Sequence, residues 1–306
     1  MDGMLIIDKP AGWTSHDVVA KIRGITRVKK VGHTGTLDPF ATGVLPLVMG
    51  RATRLTNYFQ SSDKVYRGLI RFGFATTTYD VEGESLGEDT SPELDAVRLE
   101  EIFSRYQGTM QQTLPRYSAK KVNGKPLYDY ARKGIELEPS VKEVTIRSMK
   151  LLGVNHSHAE FELVCAAGAY ARSLANDIGR DYGCGAHLEQ LRRIRCGDFT
   201  IEEATSLTPP DDTQNYHAAD YFFSRIIPLE KLLPEIPAIV ISDGDRERLL
   251  HGNDIDILST QWQAETYRML DVDGTLVAFA RKMQEYSPPA DQSVRWIRVH
   301  PIFTCG

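Results

Sequence analysis

The chain has 306 residues, of which 42% are hydrophobic and 25% are charged, and its formal net charge is -5. A chain of this length can bury a sizeable core without disulfides or structural metals, and its four cysteines lack the C-x-x-C spacing of a zinc ribbon or a thioredoxin-like site. The N-terminus does not resemble a signal peptide and no apolar run approaches the ~18 residues that cross a bilayer, so we expect a cytoplasmic protein with no membrane contact.

The first elements of the chain predict a strand, a helix and a long loop. Residues 5–7 predict a short strand, and Thr14 or Ser15 can cap a helix because apolar residues follow at helical spacing. Residues 31–46 are rich in Gly, Thr and Pro and show little periodicity, which is typical of an ordered loop with short strands. Long ordered loops inside compact domains are usually functional.

Strands and helices then alternate without a regular βαβ repeat. Residues 66–74 and 161–165 alternate in hydrophobicity as strands do. Helices are predicted from Pro92 to Tyr106, over residues 127–133, and over residues 172–182. This order predicts an α+β fold on a mixed or antiparallel sheet.

The composition changes near Thr208, where a polar and Pro-rich loop begins. A new module starts at Ile236, with one short helix and several short strands over about 70 residues. We therefore predict a catalytic domain over residues 1–232 and a small β-barrel-like domain over residues 236–306.

The charges are segregated along the chain. Residues 18–54 hold seven basic residues and one acid, and residues 116–133 hold six basic residues and one acid. Residues 80–101 instead hold nine acids and one base. The separation fits a basic face for a polyanion and an acidic back, although each run alone is equally compatible with a solvated surface.

Asp38 is the one acid in the first basic segment, and it lies in the Gly/Thr/Pro loop between Leu37 and Pro39. The proline stiffens the backbone beside the carboxylate. Taken alone, these residues leave two interpretations open, because Asp38 is either a catalytic carboxylate or a turn residue that caps a local N–H group.

A family resemblance favours the catalytic interpretation. The run KVGHTGTLDPFATGVLP (residues 30–46), followed by GRATR (residues 50–54), resembles the catalytic motif of the TruB-family pseudouridine synthases. Segments that begin at residues 8, 64, 115, 168 and 183 resemble further motifs of that family, and the C-terminal module is more loosely similar to its PUA-type RNA-binding barrels. One departure is Ala171, where the family usually has a branched aliphatic residue.

The resemblance implies a role for each candidate residue. Asp38 is the nucleophile or base, Arg172 pairs with it, and Tyr66 lies against the target base and could take its C5 proton. His33 fills the stack that the extruded base leaves. The uracil pocket is lined by Tyr170 and Leu191. Contacts to the RNA backbone are expected from four basic residues: Lys120, Lys121, Lys125 and Arg192.

The implied reaction breaks the N1–C1′ glycosidic bond of a uridine and joins C5 to C1′. It involves no redox change, so we expect neither cofactor nor metal, while a base adduct, a sugar ester and a glycal all stay open as intermediates. The expected substrate is the T-arm of tRNA, at the uridine conventionally numbered 55. We expect a monomer that needs no protein partner.

Two other functions predict different sequence features. A non-catalytic RNA-binding or RNA-folding module predicts a lost carboxylate or arginine, and both are present. An rRNA-specific pseudouridine synthase predicts a chain without the long run around Asp38. A second role as a tRNA folding helper stays open.

Overall fold

The protein is described by a computed structural model that covers residues 1–115, 121–122, 125–126, 140–209, 218–258, 264–286 and 296–304. Its strands β1 to β18 are, in chain order, Gly3–Lys9, Val31–His33, Thr42–Met49, Lys64–Phe72, Gly108–Thr113, Lys121–Val122, Lys125–Pro126, Val141–Asn155, His158–Cys165, Ala186–Cys196, Phe199–Thr200, Thr205–Ser206, Ile227–Pro228, Ala238–Val240, Ile255–Leu258, Thr266–Leu270, Leu276–Tyr286 and Trp296–Thr304.

The α-helices α1 to α6 are Ser15–Thr26, Thr56–Gln60, Ala96–Arg105, Ala171–Tyr182, Ala218–Phe223 and Asp243–Leu250, and short 3₁₀ helices lie at Gly50–Leu55, Ile201–Glu203 and Leu229–Lys231. In the described part of the chain, no helix has the length and apolar character to span a membrane. The helix predicted over residues 127–133 lies outside the described residues.

Helix α3 begins later than its sequence pattern suggests. The prediction placed its first turn at Pro92, whereas the structure starts it at Ala96. Asp95 explains the difference, because its carboxylate accepts hydrogen bonds from the backbone N–H groups of Val97 and Arg98. An aspartate in this position satisfies the free N–H groups of a helix start.

The main sheet is mixed, as predicted. Its central order is β12-β1-β3-β10-β4-β9-β8-β5, with β11 on β10, β13 on β1 and β2 on β3. Strand β1 runs parallel to β12 and β3 runs parallel to β10, while the other pairs are antiparallel.

Each face of the sheet carries its own hydrophobic core. In β1, Leu5 and Ile7 point into a core that also contains apolar residues of α1, α3 and α4. Met4 and Ile6 point into a second core on the opposite face. The alternation follows from the two-residue side-chain period of a strand, and it makes β1 a buried central strand rather than a surface strand.

The C-terminal strands form a separate sheet in the order β14-β16-β17-β18-β15. Over the described residues this sheet is open, with β14 and β15 at its edges, so the predicted closed barrel is not confirmed. Leu276 and Phe279 of β17 are buried in the second core together with residues of β1 and β3. The Tyr58 hydroxyl also hydrogen-bonds the Thr266 hydroxyl at 3.0 Å. The C-terminal module is therefore packed on the face of the main sheet opposite α1.

Candidate active site

The loop that carries Asp38 connects β2 to β3 and is anchored on both sides of the carboxylate. On one side, the Ser15 hydroxyl accepts a hydrogen bond from the Leu37 N–H at 2.9 Å and donates to the Leu37 carbonyl at 3.1 Å. On the other side, the Pro39 carbonyl accepts from the Gly12 N–H at 2.9 Å. The start of α1 and the connection between β1 and α1 thus hold the loop in one conformation.

Lys9, the last residue of β1, also supports the loop that carries Asp38. Its side chain is fully buried, and its ammonium group donates to the carbonyls of Pro10, Trp13 and Pro39 at 2.9, 2.6 and 3.0 Å. Burial lowers the pKa of Lys9 to about 8, although the nearby Asp38 carboxylate opposes that change. All three contacts are to backbone carbonyls, so the geometry is that of a structural support.

Arg172 binds Asp38 with two nitrogens. The Nε atom lies 2.9 Å from Asp38 Oδ2, and Nη2 donates to Asp38 Oδ1 at 2.9 Å. This two-point contact fixes both the position and the plane of the carboxylate. Arg172 occupies the first turn of α4. The fold thus brings together Asp38 and Arg172, which are far apart in the sequence.

A second carboxylate, Asp80, holds the other side of the guanidinium. Arg172 Nη1 lies 3.3 Å from Asp80 Oδ2 and donates to the Thr78 carbonyl at 3.2 Å. The Asp80 carboxylate itself accepts from the Thr78 hydroxyl and from the Glu82 N–H. Arg172 is therefore held between two carboxylates, and its orientation does not depend on Asp38 alone.

Asp80 was missed by the sequence analysis, which assigned residues 80–101 to an acidic back. The first residue of that run is instead buried in the site. The sequence around Asp80 gives little sign of its burial, because the first aspartate of an acidic run has the same local pattern as its exposed neighbours.

Solvent exposure differs sharply among the three charged groups. The side chains of Arg172 and Asp80 are 5% and 3% exposed, whereas that of Asp38 is 31% exposed. Burial raises the pKa of Asp38 and the charge of Asp80 adds to that effect, while Arg172 and Lys9 lower it. Arg172 thus favours an ionised Asp38 against the effect of burial, and Asp38 is the member of the group that faces outward.

Tyr66 and Tyr170 lie on different elements. Tyr66 lies on β4 between Leu163 and Arg193 of the neighbouring strands, and burial raises the pKa of its phenol to about 12. Tyr170 precedes α4, and its backbone N–H and carbonyl both bond the buried amide of Gln112, at 2.8 and 3.0 Å. Gln112, which the sequence analysis did not single out, fixes the start of the helix that carries Arg172.

The other expected site residues differ in their surroundings. Leu191 is 7% exposed and belongs to the main hydrophobic core. His33 ends β2 and is partly buried. The Arg192 guanidinium donates two hydrogen bonds of 3.1 and 2.7 Å to the Asp8 carboxylate. The charge of Asp8 therefore balances part of the charge of Arg192.

The predicted basic run lies mostly outside the described residues. Lys120 is among the residues that are not described, and only the backbone of Lys121 and Lys125 is described, in the β6–β7 hairpin. The structure thus leaves the predicted RNA-backbone contacts of these lysines as a prediction. Among the residues that are described, no cluster of three His, Cys, Asp or Glu side chains could hold a metal ion.

Solved structures define the class of this fold. Over 92% of its length, the chain superposes on 78% of a chain from the crystal structure of a Cbf5–Nop10–Gar1 complex, with a TM-score of 0.67 and 26% identity. A structure of an H/ACA RNP bound to a substrate RNA containing 2′-deoxyuridine gives the same coverage and TM-score at 25% identity. The fold is that of a pseudouridine synthase.

The sequence comparisons identify the family. Residues 23–171 match the N-terminal domain of the TruB family of pseudouridylate synthases, and residues 172–234 match a tRNA pseudouridylate synthase B C-terminal domain. The chain is 43% identical to the tRNA pseudouridine synthase B of Solibacter usitatus over 83% of this chain and 86% of that protein. The enzyme of the same name from Syntrophus aciditrophicus is 39% identical over 92% of this chain and 91% of that protein. The chain belongs to the TruB family.

Proposed function

We propose that this enzyme isomerises one uridine of tRNA to pseudouridine, in the T-arm loop at position 55, with Asp38 as the reacting carboxylate. The observation that carries the proposal is the arrangement of Asp38, Arg172 and Asp80. The Arg172 guanidinium lies between the two carboxylates, and Asp38 is the one of the three that is exposed to solvent. The curated relatives named tRNA pseudouridine synthase B support tRNA as the substrate.

In the proposed reaction, the target uridine leaves the RNA stack and enters the site beside Asp38. Asp38, acting as nucleophile or base, assists the cleavage of the N1–C1′ bond. The uracil then turns so that C5 faces C1′, the C5–C1′ bond forms, the C5 proton passes to solvent, and N1 takes up a proton. Before the reaction, Arg172 opposes the protonation of Asp38 that burial favours and holds its carboxylate in one plane, while Asp80 keeps Arg172 in place.

Tyr66 and Tyr170 are proposed to contact the uracil, with Leu191 behind them. The family resemblance also allows Tyr66 to take the C5 proton. Burial raises the pKa of its phenol to about 12, and we propose that Tyr66 contacts the ring, with transfer of the C5 proton as a second role of the same residue. His33 is proposed to occupy the space that the uridine leaves in the stack.

The rest of the tRNA is proposed to lie on a surface that includes Arg192 and the 120–125 lysines. The open C-terminal sheet is proposed to be a PUA-like RNA-binding domain over residues 236–306, next to a catalytic domain over residues 1–232. We further propose a cytoplasmic monomer that needs no protein partner.

The proposed function is tested by tritium release. A tRNA transcript labelled at C5 of uridine is incubated with protein that has been dialysed against EDTA, without added nucleotide. We expect release of one tritium per tRNA, because the reaction replaces the C5–H bond and the proposed mechanism uses only side chains. No release, or release that returns only with a divalent metal while the tRNA stays folded, would contradict the proposal.

The basic run is tested by its salt dependence. Replacing Lys120, Lys121 and Lys125 by glutamine together should weaken tRNA binding and flatten the plot of log affinity against log salt concentration, because each lost phosphate contact removes about one counterion from the slope. Binding is measured by filter retention between low and moderate salt. An unchanged slope would show that these lysines do not contact the RNA backbone.

A further inference from the structure

His16 lies directly beside His33. His16 is the second residue of α1, and its side chain is exposed, whereas His33 is partly buried. The ring centroids are 5.5 Å apart and the ring planes meet at 87°, which is an edge-to-face arrangement. This spacing is within the range in which aromatic pairs attract each other.

The backbones of both histidines are rigidly held. Thr14 and Asp17 form a reciprocal capping box around the start of α1, and Ser15, the residue before His16, is bonded to Leu37 of the catalytic loop. His33 pairs with Leu47 in the β2–β3 ladder. Because both backbones are held, the contact between the His16 and His33 rings restricts the orientation of the His33 ring.

Within the described part of the chain, no hydrogen bond to the buried Nδ1 atom sets the ring plane of His33. Burial lowers the pKa of His33 to about 4, and the neighbouring His16 and Arg193 add to that effect. The imidazole is thus neutral at physiological pH, and His16 is the aromatic ring in contact with it.

We propose that His16 is a positioning residue for His33, whose imidazole it holds in the plane that fills the gap left by the extruded uridine. The inference rests on the role proposed above for His33. In either edge-to-face arrangement, at least one face of the His33 ring is not covered by His16. His16 acts through His33 and touches no reacting atom.

The inference is tested by single-turnover tritium release from a tRNA T-arm stem-loop. His16→Ala should slow the reaction roughly 2- to 12-fold, the value of one aromatic pair, with unchanged RNA affinity. His16→Phe should stay close to the wild-type rate, because a ring remains against His33. His156→Ala is the matched control, since it removes an exposed histidine from the turn between β8 and β9 and should change nothing.

A double-mutant cycle separates positioning from direct RNA contact. If His16 acts through His33, the variant with both alanines should be no slower than His33→Ala alone. Additive losses, or a loss of RNA affinity in His16→Ala, would overturn the inference, and so would a His33→Ala variant as fast as the wild type. Wild-type activity is measured first in the same assay, so a failure of the proposed function is seen separately from a failure of this coupling.

Discussion

Asp38→Asn is expected to reduce the rate of pseudouridine formation by more than about 1000-fold, the scale at which enzymes lose activity when their reacting group is removed. The amide has nearly the same shape but carries no charge and is neither a nucleophile nor a base of comparable strength. Binding of tRNA should stay within a few fold of the wild type, because the carboxylate contributes chemistry and not phosphate contacts. Tritium release at saturating enzyme and filter binding measure the two quantities.

The control for this variant is Asp63→Asn, which removes a partly exposed carboxylate that pairs with Arg147 at 3.4 Å. Exposed pairs of this kind contribute little to stability, so the control should be fully active. Circular dichroism melting shows whether Asp38→Asn is folded. A folded Asp38→Asn variant with a rate within tenfold of the wild type would remove Asp38 from the reacting role.

Arg172→Lys is expected to have the second largest effect, a loss of about 100-fold or more in the single-turnover rate. Lysine keeps the positive charge, but a single ammonium group cannot bind both oxygens of Asp38 and also reach Asp80 and the Thr78 carbonyl. The carboxylate would keep a cation nearby and lose its fixed orientation, and small errors of position are costly in catalysis.

Two further variants show whether that loss comes from geometry. Arg180→Lys makes the same substitution on an exposed residue of α4 that pairs with Asp177, and it should be fully active. Asp80→Asn keeps the shape of the support for Arg172 but removes its charge, so it should lose activity to a smaller extent than Arg172→Lys. A fully active Arg172→Lys variant would show that charge alone, without the two-point contact, is sufficient.

The pairing of Asp38 with Arg172 could be predicted only through the family motif. The two residues come from a loop after β2 and from the start of α4, and no local pattern in either segment indicates the other. Hydrophobic alternation did predict β4, which carries Tyr66, because that signal is local, whereas it did not predict β10, which carries Leu191 and Arg192. The burial of Asp80 could not be predicted from local sequence, because it depends on the turn that places residues 76–83 against α4 and β10.

The C-terminal sheet illustrates the same limit. The sequence predicts several short strands in this module, and the described residues form five of them. Closure into a barrel depends on which strands meet at the edges, and the described strands β14 and β15 pair only with β16 and β18, respectively. Edge pairing is a long-range property that strand patterns do not contain. The start of α3, by contrast, could have been predicted locally from Asp95 as a capping residue.

The central claim is tested most directly by mapping the product on a full-length, unmodified tRNA transcript. After incubation with the wild-type protein, pseudouridine is labelled chemically and located by primer extension. The account predicts one new pseudouridine, in the T-arm loop at position 55, and none with Asp38→Asn. Modification at another position only, or an equal signal from the Asp38→Asn protein, would contradict it.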